Sequence, residues 1–266
     1  MTGDFMSILN TAVQTANKDG NLSLMIYAIP NFPNPTVYRK ILSILETHPA
    51  VTLIETTLPV TSGFSRYANQ IIRHAHTEAL QYGDGLSLLN DLQPFSKPSI
   101  LVLYQQTMDA LGYQPLLAKL QEKIDGVLFE WEAQNMEEYA KQTALYNLEL
   151  IQCAAPDMSD AELYGYLALT EEKPLIYLAS ASMTGATLFD TKYLTGCLEK
   201  VKKYRPAAKI LAGFGVRNSE DIRCLATIDG LDGVIIGTAF LEIMSQGADA
   251  VQRYLDTLLL ALKLKM

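Results

Sequence analysis

The chain of 266 residues has few of the residues that mark specialised protein classes. It contains three cysteines, three histidines and one tryptophan, and charged residues make up only 19% of it. Three cysteines cannot form a disulfide framework, so we expect free thiols in a reducing cytoplasm. Acidic side chains outnumber basic ones by 29 to 21. The resulting net charge of −8 would repel a nucleic-acid backbone, so we expect no nucleic-acid partner.

Long apolar runs are also missing. No run approaches the roughly 18 residues of a membrane span, and the first ten residues lack the basic and apolar regions of a signal peptide. We therefore expect no membrane association and a cytoplasmic location. Apolar residues still make up 49% of the chain, which is enough for a sizeable core.

Short apolar runs typical of buried strands alternate with amphipathic helical patterns from end to end. Eight runs predict strands, at Leu22–Ile29, Val51–Thr56, Ser99–Tyr104, Gly126–Phe129, Leu148–Cys153, Leu175–Leu178, Lys209–Ala212 and Gly233–Ile236. Helical spacing predicts an opening helix over residues 4–18 and later helices at Thr36–Glu46, Met136–Tyr146, Ser159–Leu169, Asp190–Tyr204, Ser219–Thr227 and Val251–Leu262.

Eight β/α units in a chain of this length predict an α/β fold, a TIM (β/α)8 barrel with an extra N-terminal helix across its bottom. The alternative is an open doubly wound sheet, which usually has fewer strands and a G-x-G-x-x-G turn after the first. Here Pro30, Pro33 and Pro35 follow the first strand instead. No linker or low-complexity tract interrupts the pattern, so we expect one domain spanning residues 1–266.

Glycines occur where the last strands of such a barrel would end. Gly213 and Gly215 follow the seventh strand, Gly237 and Thr238 follow the eighth, and Gly185 lies in the sixth loop. Glycine lets backbone N–H groups approach phosphate oxygens closely. The pattern predicts a phosphate site, although any one of these motifs is also typical of an ordinary turn.

Glu55 ends the apolar run of the second strand, so we expect its side chain to project into the mouth of the barrel. A carboxyl in an apolar pocket has a raised pKa and can exchange protons with a substrate near neutral pH. The alternative is a carboxylate in a structural pair. His74 and His76 are two residues apart in a helical pattern and face different sides, so we expect no metal site, and nothing indicates a cofactor.

Several motifs resemble the tryptophan synthase alpha chain family in order and spacing. They are Ile124-Asp125-Gly126-Val127-Leu128, Ile176-Tyr177-Leu178, Met183-Thr184-Gly185-Ala186, Gly213-Phe214-Gly215-Val216 and Ile236-Gly237-Thr238-Ala239. The resemblance implies a TIM-barrel lyase that cleaves indole-3-glycerol phosphate to indole and glyceraldehyde 3-phosphate. It also implies a partner, a beta subunit that uses pyridoxal phosphate.

The resemblance also implies roles for single residues. Glu55 matches the glutamate that shuttles the proton at the indole ring carbon. Tyr177, which we expect to be catalytic with Glu55, and Tyr104 match tyrosines that line the site. Tyr27 and Phe214 match aromatic residues beside the indole.

The same comparison of motifs assigns residues to the family's phosphate-binding site. Gly185, Gly215, Gly237 and Thr238 match it, Thr238 in place of the usual serine. Gly213 belongs to the same glycine motif, and we include it among the expected phosphate contacts. Thr184 matches the threonine of the mobile sixth loop that closes over the substrate.

The second loop departs from the family. The position of the family's catalytic aspartate is occupied by Arg66, and an arginine cannot accept the indole N–H as that aspartate does. Glu130, in the fourth loop, could replace it. We expect Arg66 to contact an anionic group of the substrate and the lyase activity to be weak or altered. Two alternatives therefore stay open: a diverged paralogue acting on a related indolyl or aryl phosphate, and a non-catalytic subunit that binds phosphate and regulates a partner.

Overall fold

A computed structural model describes residues 7–64, 68–130, 136–155, 158–170, 172–179, 191–213 and 215–263. Eight parallel strands close into a barrel in chain order, each paired with the next and the last with the first. The strands are β1 (Ser23–Ala28), β2 (Leu53–Thr57), β3 (Ser99–Leu103), β4 (Gly126–Phe129), β5 (Glu149–Ala154), β6 (Leu175–Ala179), β7 (Lys209–Gly213) and β8 (Gly233–Ile236). The predicted TIM barrel is confirmed, with every predicted strand present to within two residues at either end.

The helices of the described residues lie around this barrel. They are α1 (Ile8–Lys18), α2 (Pro35–Thr47), α3 (Gln70–Ala79), α4 (Gly85–Asp91), α5 (Gln105–Leu111), α6 (Tyr113–Leu120), α7 (Met136–Leu145), α8 (Asp160–Ala168), α9 (Thr191–Tyr204), α10 (Ser219–Leu225), α11 (Thr238–Met244) and α12 (Ala248–Leu259). Polar side chains fix several starts: Asn34 accepts the Val37 N–H, and Ser159 forms a capping box with Glu162. None of the described helices is both long and apolar enough to cross a bilayer.

Helix α1 lies across the N-terminal ends of the strands. It begins at Ile8 rather than at residue 4, because Ser7 is its N-cap and accepts the Asn10 N–H. Leu9 is fully buried, and one of its methyl groups lies 3.0 Å from where a Cβ of Gly126 would be. Asn17 donates to the backbone oxygen of Asp232 just before β8. The bottom of the barrel is therefore closed by this helix, as predicted.

Register places the ends of neighbouring strands side by side at the opposite end of the barrel. Tyr27 of β1 is the partner of Glu55 of β2, and Cys153 of β5 is the partner of Tyr177 of β6. Register partners point to the same face of a sheet. Tyr27, Glu55 and Tyr177 interact electrostatically although β6 lies across the barrel from β1 and β2, so all three face the interior. That the whole chain forms one domain stays a prediction.

Candidate active site

Glu55 is the middle residue of β2, and its side chain faces the interior of the barrel. Its side chain is buried, with a relative exposure of 4%. Burial, together with the smaller effect of the negative charge of Glu130, raises the pKa of its carboxyl to about 8. A carboxyl with such a pKa is mostly protonated at neutral pH, so it can act as a proton donor.

Glu130 follows β4 directly. Successive residues of a strand point to opposite faces of the sheet, so Glu130 lies on the same, interior face as Gly126 and Leu128. Its backbone N–H donates to the Leu103 oxygen over 3.0 Å, which extends the pairing of β3 with β4. Its charge raises the pKa of Glu55 and of three tyrosines, which lie in β1, in β6 and directly after β3. The charge of Glu130 therefore acts at the mouth of the barrel, on Glu55 and on the tyrosines around it.

Three tyrosines surround these carboxyls. Tyr27 and Tyr104 are buried, and each lies within the electrostatic reach of Glu55 and Glu130. Tyr177 is partly exposed, and its ring lies against Gly213, where an added Cβ would come within 2.5 Å of the hydroxyl oxygen. Burial raises the pKa of all three hydroxyls well above the ordinary value. They stay protonated and can serve as hydrogen-bond donors.

Four of the expected phosphate contacts, Gly213, Gly215, Gly237 and Thr238, lie at the ends of β7 and β8. Gly215 has a φ of +87°, a backbone conformation that favours glycine. Gly237 is the N-cap of α11, and Thr238 is its first residue. The side chain of Asn69 donates to the Thr238 hydroxyl over 3.2 Å and also caps α3 by accepting the Ile72 N–H. Asn69 thus ties α3 to the proposed phosphate end of the site.

A group of buried rings lies beside Tyr27. His76 of α3 has no exposed surface, accepts the Val60 N–H at Nδ1 over 3.0 Å, and has Nε2 at 3.3 Å from the Tyr27 hydroxyl. The Phe64 ring packs edge-on against His76 and Tyr104. The sequence analysis missed His76 and Asn69 as site residues. One signal was available for His76, since it shares the apolar face of α3 with Ile72, Ala75 and Ala79.

Four expected site residues, Arg66, Thr184, Gly185 and Phe214, lie outside the described part of the chain. The others converge on one end of the barrel. Glu55, Tyr27, Tyr104 and Tyr177 lie around its mouth, and Gly213, Gly215, Gly237 and Thr238 lie at the ends of β7 and β8. Gly213 also has a packing role, because its missing side chain makes room for the Tyr177 ring.

Comparison with known proteins gives one family. The family model for the tryptophan synthase alpha chain matches residues 13–265. A tryptophan synthase alpha chain of Acinetobacter baumannii is 23% identical over 245 residues, which cover 89% of each chain. Among solved structures, Mycobacterium tuberculosis tryptophan synthase superposes with a TM-score of 0.83 at 16% identity and covers 98% of this chain and 100% of that one.

The tryptophan synthase complex of Pyrococcus furiosus gives a TM-score of 0.74 at 21% identity, covering 90% of this chain and 98% of that one. At these identities the structural likeness shows the fold alone. The family model, which spans nearly the whole chain, shows more. The chain belongs to the tryptophan synthase alpha chain family.

Proposed function

We propose that this protein is a carbon–carbon lyase that cleaves indole-3-glycerol phosphate to indole and glyceraldehyde 3-phosphate. The observation that carries the proposal is the carboxyl of Glu55, buried at the mouth of the barrel with a pKa raised to about 8. A general acid is most effective when its pKa lies near the working pH. Membership of the tryptophan synthase alpha chain family supports the choice of substrate.

In the proposed reaction Glu55 donates its proton to the indole ring carbon that carries the glycerol chain. The ring nitrogen becomes positively charged, and the Glu55 carboxylate then removes the proton of the adjacent glycerol hydroxyl. That oxygen forms the carbonyl of the aldehyde as the carbon–carbon bond breaks, and the bonding electrons return to the ring. The products are indole and the aldehyde, and Glu55 is protonated again.

Glu130 is the residue that we propose in place of the aspartate missing from the second loop. Its negative charge acts on the carboxyl of Glu55. A carboxylate accepts hydrogen bonds, so it can accept the indole N–H and stabilise the charge that develops on the ring. The negative charge of Glu130 also favours the protonated form of Glu55, so each carboxyl supports the role of the other.

The remaining residues are proposed to hold the substrate. Tyr27 and Tyr104 line the indole end with Phe214, and Tyr177 contributes a neutral hydroxyl donor beside the reacting carbon. The phosphate is bound by backbone N–H groups around Gly185, Gly213, Gly215 and Gly237, by the Thr238 hydroxyl, and by closure of the loop that contains Thr184. Arg66 is proposed to contact an anionic group of the substrate.

The proposed partner is a pyridoxal-phosphate-dependent tryptophan synthase beta subunit in the cytoplasm. One of the similar solved structures is a tryptophan synthase complex, which supports this choice. A stable complex is expected to elute from a sizing column at the summed mass of both subunits. Two separate peaks at micromolar concentration would argue against a stable complex.

The lyase reaction is tested by incubating the protein with indole-3-glycerol phosphate and following indole release, with and without a beta subunit. We expect release that Glu55→Gln abolishes. Glu199→Gln, on the exposed face of α9, is the matched control and should leave the rate unchanged. Indole release that is insensitive to Glu55→Gln would place the chemistry on another residue. Tight substrate binding without release would favour the non-catalytic alternative.

A further inference from the structure

Gln106, the second residue of α5, is a polar side chain to which the proposed reaction assigns no role. Its amide oxygen Oε1 lies 2.9 Å from the backbone nitrogens of Thr61 and Ser62 and 3.1 Å from the hydroxyl oxygen of each. A backbone N–H can only donate, so the atom that faces both of them is the oxygen of the amide and not its NH2 group. One side-chain oxygen thus accepts four hydrogen bonds from the second loop.

Gly63 continues this contact between the second loop and α5. Its φ of +78° is a backbone conformation that favours glycine. An added Cβ would lie 3.4 Å from the Gln106 nitrogen, so the loop backbone lies directly on the first turn of the helix. Phe64 is the next residue. The conformation that Gln106 fixes at Thr61 and Ser62 therefore determines where the Phe64 ring lies.

The Phe64 ring packs among side chains of two other elements. It lies edge-on against Tyr104 at a centroid distance of 5.4 Å and against His76 of α3 at 5.0 Å. The guanidinium of Arg73, also on α3, lies 4.7 Å from the Phe64 centroid. Phe64 is partly exposed, whereas Tyr104 has a relative exposure of only 2%. The Phe64 ring is therefore one of the groups that cover Tyr104.

The packing of β3 shows that Tyr104 lies on the interior side of the barrel wall. Leu101 and Leu103 form an apolar cluster with buried leucines of α6, so they face the helices outside. Successive residues of a strand alternate between faces, which turns Val102 and then Tyr104 inward. The backbone of Tyr104 is still extended, with φ −101° and ψ 147°. Phe64 thus contacts an inward-facing residue at the C-terminal end of β3, where the candidate site lies.

We propose that Gln106 is a positioning residue that holds the Phe64 ring as one wall of the pocket for the aromatic part of the ligand. This inference rests on the proposed function, which places the indole beside Tyr104. Aromatic rings prefer edge-on or offset contacts, and Phe64 is held where it can make one. Because the loop is fixed before the ligand arrives, binding does not have to order it and costs less conformational entropy.

The contact of Gln106 with the loop is tested by NMR hydrogen exchange of the whole protein at the amides of Thr61 and Ser62. Gln106→Met has a side chain of similar length without an acceptor, and should speed both exchanges about tenfold, the effect of one hydrogen bond. Gln106→Glu keeps an acceptor oxygen and should preserve slow exchange. Gln105→Met, at the exposed neighbour, is the matched control and should change neither. Equal exchange in Gln106→Met and the unaltered protein would overturn the proposal whatever reaction the protein performs.

The role toward the ligand is tested by calorimetry with two probes. Indole-3-propanol phosphate carries an aromatic ring and a phosphate, and glycerol 3-phosphate carries the phosphate without a ring. Gln106→Met should weaken binding of the first about two- to tenfold, the contribution of one aromatic pair, and leave the second unchanged. Gln106→Glu should retain most of the affinity for both. An equal loss for both probes would mean that Gln106 only supports the fold, and would overturn the proposal.

A double-mutant cycle tests whether Gln106 acts through Phe64. Phe64→Leu removes the ring and should also weaken binding of indole-3-propanol phosphate. The double variant should lose no more affinity than Phe64→Leu alone, because the anchor has no further effect once the ring is gone. Losses that multiply in the double variant would overturn the proposal.

If Gln106→Met does not fold, Gln106→Ala also removes the acceptor and allows the same measurements. An unaltered protein that binds neither probe would overturn the proposed function and with it the role of Phe64 toward the ligand. Hydrogen exchange would then still decide whether Gln106 holds the loop.

Discussion

Glu55→Gln is expected to stabilise the protein, and the gain should increase with pH. The carboxyl of Glu55 ionises at about pH 8 in the fold, against an ordinary value of 4.5. Between these values the folded protein retains a proton that the unfolded chain has lost. The stability contributed by the protonated carboxyl is therefore complete below pH 4.5 and is lost as the pH rises to 8. Glutamine is a neutral isostere that does not titrate.

The size of this stabilisation follows from the shift in the pKa of Glu55. Each pKa unit corresponds to about 1.4 kcal/mol. We compare the free energy of unfolding of Glu55→Gln with that of the unaltered protein. The difference in favour of the variant should increase by about 3 kcal/mol between pH 4.5 and pH 7. The total increase should be about 4 to 5 kcal/mol at pH 8 and above, and constant beyond that.

The assay is equilibrium unfolding in urea at half-unit steps from pH 4.5 to pH 9, with far-UV circular dichroism as the probe. Taking the difference between two proteins at each pH cancels the groups that titrate alike in both. In a Glu130→Gln background the increase should end at a lower pH, because the charge of Glu130 contributes to the raised pKa of Glu55. A difference that stays constant across the range would refute the placement of Glu55 in a desolvated pocket.

Three further predictions follow from the same region. Glu130→Gln should lower the rate of indole release by about 10²- to 10⁴-fold in steady-state kinetics, the typical contribution of one acid–base partner; an unchanged rate would exclude Glu130 from the chemistry. Gly213→Ala should destabilise the protein by about 1 to 3 kcal/mol in urea unfolding because the new methyl group overlaps the Tyr177 ring, whereas Gly196→Ala in α9 meets no neighbouring atom and should stabilise it by about 0.5 to 1 kcal/mol. The neutral His76 contributes stability above its ordinary pKa of 6.5 that is lost as the pH falls toward 3, so His76→Gln should resist acid unfolding better than the unaltered protein; equal acid midpoints would contradict this.

The strands were predictable because their signal is local. A strand covered on both faces needs a continuous apolar run, and all eight predicted runs form strands. The short helices α4, α5, α6 and α11 were not predicted, because one or two turns contain too few residues to establish a 3.6-residue period. The C-terminal helix was predicted as Val251–Leu262 but begins at Ala248 and ends at Leu259, where the last residues form a turn.

The sequence by itself determined the eight-fold β/α order and, through the position of Glu55 at the end of an apolar run, the place of the candidate acid. Only the tertiary structure decided which groups surround that acid. Glu130 follows a different strand, and His76 meets Tyr27 from a helix 49 residues further along the chain. No local period encodes such pairs, because only the closing of the barrel brings them together and removes the water that would otherwise screen their charges.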